Sequence, residues 1–316
     1  MSTKDAIRVF GINDLYTAIQ YFITIAGELL LLFVAITFIV GLLMEYVSQD
    51  TIRNALGGRR RYLGNFIAAG FGALTPFCSC STIPILVGLL DSGVPFGTCI
   101  SFLVASPLLN PVILGLLLMV IGLKGTVLYF IVTFIGAVIV GVLLEWAGLA
   151  SDVKEVAVVG LNGGSQIKVA PGTPFLKRTV PRVKRAAGFA LSLFRQVVPY
   201  LLLGAGIGAF IYGFVPEGFL TSVAGSANPL AIPVAALIGI PMYIRAETII
   251  PISGALMAKG MGVGAVIALI IGGAGMSIPE MTLLAAIFKR RLLAAFIATI
   301  FVVAVVSGII FQYFPL

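Results

Sequence analysis

The sequence has no histidine, one tryptophan, three cysteines and few charged residues. Without histidine it lacks the side chain that most often relays protons near neutral pH, and with it most zinc-site patterns. Three cysteines, Cys78, Cys80 and Cys99, are too few for a disulfide framework. Charged residues make up 10% of the chain, against about 25% in a soluble domain, so a soluble globular class is excluded. No GxxxxGK loop followed by Ser or Thr occurs. Energy for any uphill work must therefore come from an ion gradient or a partner. The opening MSTKDAIRVFGINDLYTAIQ lacks the basic-then-apolar order of a signal peptide, and residues 1–18 are expected to stay as a short surface segment.

What the chain does have is apolar length. Hydrophobic residues are 60% of its 316 and the mean hydropathy is +1.15. A helix needs ~20 apolar residues to cross a bilayer. Apolar segments fall at about 19–44, 64–91, 95–122, 125–148, 186–214, 229–259, 262–288 and 292–313. The expectation is an all-α, multi-pass protein of the cell membrane. The net charge of +8 marks cytoplasmic loops in such a protein, not a nucleic-acid partner. Residues 150–185, rich in Gly, Pro, Lys and Arg, are expected to be a basic cytoplasmic linker between a first transmembrane half, 19–149, and a second, 186–316.

The halves share an order of special residues. TFIVGLLMEYV (37–47) matches AFIYGFVPEGF (209–219). Pro76, Pro84 and Gly93 match Pro241, Pro251 and Gly260, and LLNPVI (108–113) meets MSIPEM (276–281). Arg53 and Arg59 to Arg61 lie in a loop whose second-half counterpart, TSVAGSANPL, has no charge. Because basic residues stay cytoplasmic, the two loops are expected on opposite sides, which makes the repeat inverted. All basic clusters reach one side only if one segment per half is a re-entrant hairpin, and 64–91 and 229–259 are the best candidates. Both chain ends then face outside.

The helices are broken where they should be continuous. Proline in a helix interior costs ~3 kcal/mol relative to alanine. Pro76, Pro84, Pro107, Pro111, Pro241, Pro251 and Pro279 are the expected helix breaks. Non-helical backbone survives in a membrane only against protein or a water-filled cavity, and paired breaks point to a transporter's substrate site. Thr75, Cys78, Ser79, Cys80, Ser81, Thr82, Ser106 and Asn110 are the substrate-binding candidates of the first half. Arg245, Glu247, Thr248 and Ser277 are those of the second. The hydroxyls serve equally well as caps of broken helices. Counting back from Pro84 and Pro251 sets Cys78 opposite Arg245 and Cys80 opposite Glu247. Intramembrane charge is functional or paired, so Glu247 and Glu280 are candidates for proton coupling. Two thiols one residue apart suit a soft metal or metalloid. They do not complete a zinc site, and no resident metal or cofactor is expected. Cys99 alone reads as a small buried hydrophobe.

TPFCSCSTIPI followed by SPLLNPVI, in a chain of this hydropathy, resembles the predicted permeases that include the organoarsenical efflux permease ArsP. The resemblance covers most of the chain outside the N-terminus and linker. It implies a plasma-membrane permease rather than an enzyme. For the arsenical members it implies export of trivalent organoarsenicals, with the thiols at Cys78 and Cys80 in the path. The Cys motif marks the whole broad family, so it supports a permease more firmly than an arsenical substrate. Three other functions stay open: a transporter of an inorganic or sulfur-containing anion near Arg245, a membrane thiol–disulfide electron carrier, and a non-transporting scaffold. A carrier calls for a cysteine in each repeat, and the second half has none.

Overall fold

A computed structural model describes residues 62–75, 79–154, 230–240 and 261–314, with scattered positions in 27–42 and 183–202 and at 257. The described elements are α1 (Leu63–Leu74), α2 (Ser79–Asp91), α3 (Phe96–Leu108), α4 (Pro111–Trp146), α5 (Ala231–Gly239), α6 (Val263–Gly275), α7 (Ile278–Ile287) and α8 (Arg290–Tyr313). A 3-10 turn, Leu149–Asp152, follows α4. Among the described residues there is no strand, only one isolated bridge. α4 and α8 are long and apolar enough to cross a membrane, and α6 with α7 makes a third such span bent by 43°. The protein is an all-α membrane protein.

α3 has no lipid face, since every residue from Phe96 to Leu108 is buried. α6 is nearly the same, and the two helices pack on each other at the centre. α1 shows how the surrounding layer is built. Gly64, Asn65, Ala68, Ala69, Gly72 and Ala73 form its buried stripe, while Phe66, Ile67, Phe71 and Leu74 are exposed. In a bilayer small residues face helices and large apolar ones face lipid, because close backbone approach supplies the contact energy.

α4 is two helices. Gly122 stands at φ 71°, ψ 178° inside it, a conformation open in practice only to glycine. A straight helix of 36 residues would be about 54 Å long at ~1.5 Å per residue, far beyond the ~30 Å hydrocarbon layer. The break fits the element to the membrane.

Close contacts fix the directions. Asn65, in the first turn of α1, receives a hydrogen bond from Thr98 in the first turn of α3. Gly72, in the last turn of α1, lies where a Cβ would stand 3.0 Å from the Phe102 carbonyl oxygen and the Ser106 nitrogen. α1 and α3 therefore run side by side in one direction. Gly97 meets Gly141 and Glu145, while the Tyr129 hydroxyl donates to the Leu108 carbonyl at 3.0 Å, so α4 runs back along α3. α2 starts four residues after Thr75, at the far end of α3, and returns through Ser92–Pro95 to its near end. α1 and α2 thus go in and come out at the same end.

The second half repeats these contacts at one spacing. Gly239 approaches Leu269 and Gly273 as Gly72 approaches Phe102 and Ser106, and each residue of the first set is 167 positions after its partner in the second. Gly264 meets Gly308 and Gln312 as Gly97 meets Gly141 and Glu145, at the same spacing. α6 spans Val263–Gly275 as α3 spans Phe96–Leu108. The Gly122 break corresponds to Lys289, between α7 and α8.

That second break is held by the chain leaving the first half. Val153 bridges Phe288. The Lys154 amide donates to the Ile287 carbonyl at 2.7 Å and the Lys289 amide to the Asp152 carbonyl at 2.8 Å. The Lys154 Nζ donates to the Ala285 carbonyl and the Lys289 Nζ to the Ser151 carbonyl. The start of the linker therefore lies on the same face as the basic cluster Lys289 to Arg291.

Two expected breaks need correction. Pro84 sits inside α2, which runs on to Asp91. Pro107 sits inside the last turn of α3. Each removes one helical donor, but Ile83, Leu86, Leu103 and Leu108 are fully buried around them, and packing holds the helix through the gap. Pro111 and Pro279 open α4 and α7, where the missing N–H is no loss. Pro76, Pro241 and Pro251 lie outside the described residues.

Candidate functional site

The site is built from helix ends. Thr75 follows α1 in an extended conformation, φ −88°, ψ 120°, as a residue preceding proline must. Its hydroxyl donates to the Gly72 carbonyl at 2.8 Å and lies 3.4 Å from the Ser106 hydroxyl. The end of α1 is thereby joined to the last turn of α3. Ser106 is fully buried, and Pro107 beside it removes the donor for the Leu103 carbonyl.

Two residues on, Asn110 caps α4. It is extended at φ −50°, ψ 133°, and its Oδ1 accepts from the Val112 amide at 2.9 Å. Asn110 is 6% exposed, so its side chain is enclosed by protein, while Pro111 and Val112 after it are exposed. The Tyr129 bond to the Leu108 carbonyl satisfies the other side of the break.

The second half presents the matching turn. Ser277 precedes α7 at φ −61°, ψ 148°, and makes no cap bond. Glu280 lies in the first turn of α7 and is 3% exposed. A helix N-terminus carries roughly half a positive charge, which favours a carboxylate there. Leu108 and Gly275 touch, with Leu108 Cδ2 3.6 Å from the position of a Gly275 Cβ, so the two turns are close neighbours.

Thr82 is fully buried in the first turn of α2, and α2 packs against α7. Ser79, Cys80 and Ser81 open α2. Pro84 removes the donor that would pair the Cys80 carbonyl. Cys78, Arg245, Glu247 and Thr248 lie outside the described residues. Cys99 is buried, with its thiol donating weakly to the Val94 carbonyl at 3.8 Å, away from the two turns and near the start of α3.

The structure thus brings Thr75, Ser106, Asn110 and Ser277 to one region, beside the packed helices α2 and α7. The N-termini of α2, α4 and α7 and the C-termini of α1, α3 and α6 end there. Chemically this is a largely buried set of hydroxyl, amide and carboxylate groups gathered at helix ends, a composition that suits a small polar solute.

The family model ArsP_1, predicted permease, matches residues 14–313. This chain belongs to that predicted permease family. Among its relatives are the UPF0718 protein YcgR of Bacillus subtilis, 23% identical over 271 residues, covering 85% of this chain and 87% of the relative. A UPF0718 protein of Methanocaldococcus jannaschii is 20% identical over 299 residues, covering 79% and 82%. A Streptococcus mutans protein named "Putative two-component membrane permease complex subunit" is 25% identical over 266 residues, covering 82% and 83%. No solved structure matches the chain significantly.

Sequence reasoning missed Tyr129, Asn65 and Thr98. The signal was present as hydroxyl and amide groups inside apolar runs. Their partners lie 21 and 33 positions away, and no local pattern names such partners.

Proposed function

We propose that this permease is a secondary transporter built from two inverted repeats, with its substrate site at the paired helix breaks near the bilayer centre. The observation that carries the reading is the contact of Leu108 with Gly275 beside the Asn110 and Ser277 turns. Equivalent residues touch only near the axis that relates two halves, so both breaks sit at that axis.

The contact directions support the inversion. α3 starts beside the end of α4 near the linker, runs to the central turn, and continues as the first part of α4 to Gly122. α6 starts beside the end of α8, runs to its own turn, and continues as α7 to the Lys289 face, which is the linker face. The two broken spans therefore run in opposite directions. α1 and α2, of 12 and 13 residues, are each too short to cross ~30 Å. With both ends on one side they make a re-entrant hairpin. Basic residues assign the linker face to the cytoplasm.

For the substrate, the two thiols of the Cys78-Ser79-Cys80 sequence favour a thiophilic solute such as a trivalent organoarsenical. The converging helix N-termini favour a small anion as the second reading. Uptake of trivalent methylarsenite into everted vesicles separates them, comparing wild type with Cys78→Ser/Cys80→Ser. Accumulation that the double substitution abolishes at equal protein level supports arsenical export. No accumulation in wild type removes that substrate and directs the search to anions.

A further inference from the structure

α8 begins on the linker face, where the Lys289 amide is bonded to the Asp152 carbonyl. The same face carries two exposed aromatic side chains at helix ends, Tyr62 before α1 and Trp146 at the end of α4. Tyr and Trp collect where a bilayer meets water, so this is the depth of the lipid headgroups. Four cations stand here. Lys154 and Lys289 donate to the Ala285 and Ser151 carbonyls, which holds two ammonium groups along the strip. Arg290 and Arg291 are exposed in the first turn of α8. Asp152 is the acid of the strip, and among the described residues it forms no ion pair with any of the four.

Arg291 heads the lipid face of α8. Ala294, Ala298, Val302, Val306 and Ile309 follow it, all exposed. At 3.6 residues per turn they fall within about 60° on either side of it. The face starts small and ends large. Ala294 and Ala298 leave a shallow furrow below the guanidinium, with the half-buried Ile297 and Phe301 on one flank. The furrow reaches about 10 Å down the helix at ~1.5 Å per residue, and then Val302 and Val306 fill the face.

The equivalent face of α4 has no such furrow. The residues 167 positions earlier are Lys124, Val127, Ile131 and Ile135, also exposed, and their branched side chains occupy the space. A cation heads both stripes, but only the stripe on the linker side leaves room beneath it.

We propose that Arg290, Arg291 and the furrow over Ala294 and Ala298 bind an anionic phospholipid of the linker-side leaflet. The guanidinium groups take the phosphate with their planar forks of donors. One acyl chain lies along the two alanines, where small side chains let it approach the helix backbone closely. Lys154 and Lys289 add positive potential without leaving their carbonyls. Such a site serves the membrane face of the fold and stands whether or not the transporter reading does.

The test is tryptophan quenching by dibrominated lipids in vesicles of phosphatidylcholine. Trp146→Phe removes the single native tryptophan, and Phe301→Trp places a reporter beside the furrow. Phe134→Trp, 167 positions earlier, places its twin beside the α4 face. Dibrominated phosphatidylglycerol is expected to half-quench the Phe301→Trp reporter at about 3–10-fold lower mole fraction than dibrominated phosphatidylcholine. No such preference is expected at the Phe134→Trp reporter. Arg290→Gln/Arg291→Gln should abolish the preference, and Arg290→Lys/Arg291→Lys should keep part of it. Ala294→Val/Ala298→Ile, which copies the α4 face, should weaken quenching by the anionic lipid with both arginines in place. Equal half-quenching by the two lipids makes the arginines plain interfacial anchors and overturns the proposal. So does a preference that survives in Arg290→Gln/Arg291→Gln. A preference equally strong at the Phe134→Trp reporter reports the net charge of the chain and not a site, and overturns it too.

Discussion

The Leu108 side chain rests on Gly275, its counterpart 167 positions later, and the Ile300 Cγ2 stands 2.9 Å from where a Gly275 Cβ would be. Gly275→Ile would force α6 away from both α3 and α8. Overpacking of this kind costs typically ~1–3 kcal/mol. The variant is expected to fold with a lowered melting temperature in detergent and to lose most transport, because the two central turns no longer meet.

Glycine-to-alanine substitutions should divide by sign. Alanine gains about 1 kcal/mol over glycine in a helix interior. Gly115 has nothing within 4 Å of the place an alanine methyl would take, so Gly115→Ala is expected to stabilise slightly. At Gly239 the Cβ would stand 2.7 Å from the Leu269 carbonyl oxygen, and at Gly72 3.0 Å from that of Phe102. Both obstacles are backbone. Thermal unfolding should show Gly239→Ala as the more destabilising of the two, by ~1–3 kcal/mol.

Asn110→Ala removes the acceptor for the Val112 amide. Loss of such a cap costs ~0.5–2 kcal/mol. Asn110→Asp and Asn110→Ser should restore stability, while transport should follow the cap only if the turn is a scaffold. A stable Asn110→Ser variant that stays inactive would make the amide itself a substrate contact.

The inverted arrangement has a direct check with membrane-impermeant maleimide. In a chain without native cysteines, Tyr62→Cys, Asp91→Cys and Ser151→Cys should label from one side and Lys124→Cys from the other. Labelling of Tyr62→Cys and Asp91→Cys from opposite sides would make 62–91 a crossing and end the hairpin reading.

Lys154→Met removes the bond to the Ala285 carbonyl. Hydrogen bonds from charged groups contribute about 1.5–3 kcal/mol. The variant should be cut faster by trypsin in the linker, and Lys154→Arg should recover part of the protection.

The sequence carried the class of the fold in its apolar runs, and the breaks at Pro111 and Pro279 in its prolines. Pro84 and Pro107 misled, because a proline inside a well-packed helix costs one bond and leaves the path of the chain unchanged. Gly122 escaped as a break: in an apolar run, a glycine with positive φ looks like any other. The close contact of Gly97 with Gly141 was invisible for a related reason. Its polar neighbours, Asn65, Ser101 and Glu145, come from three helices, and only the packed structure brings them together. The uniform spacing of 167 was blurred by aligning on Pro111 and Pro279, which stand one register position apart, although their caps Asn110 and Ser277 coincide.

The tie between Val153 and Phe288 leaves the two hinges of this molecule mechanically unequal. At Gly122 the chain turns on the freedom of one residue, while at Lys289 the same turn is pinned by a strip of backbone and two lysines. One joint is therefore stiff and the other free, so bending between the two parts of α4 should cost less than bending between α7 and α8.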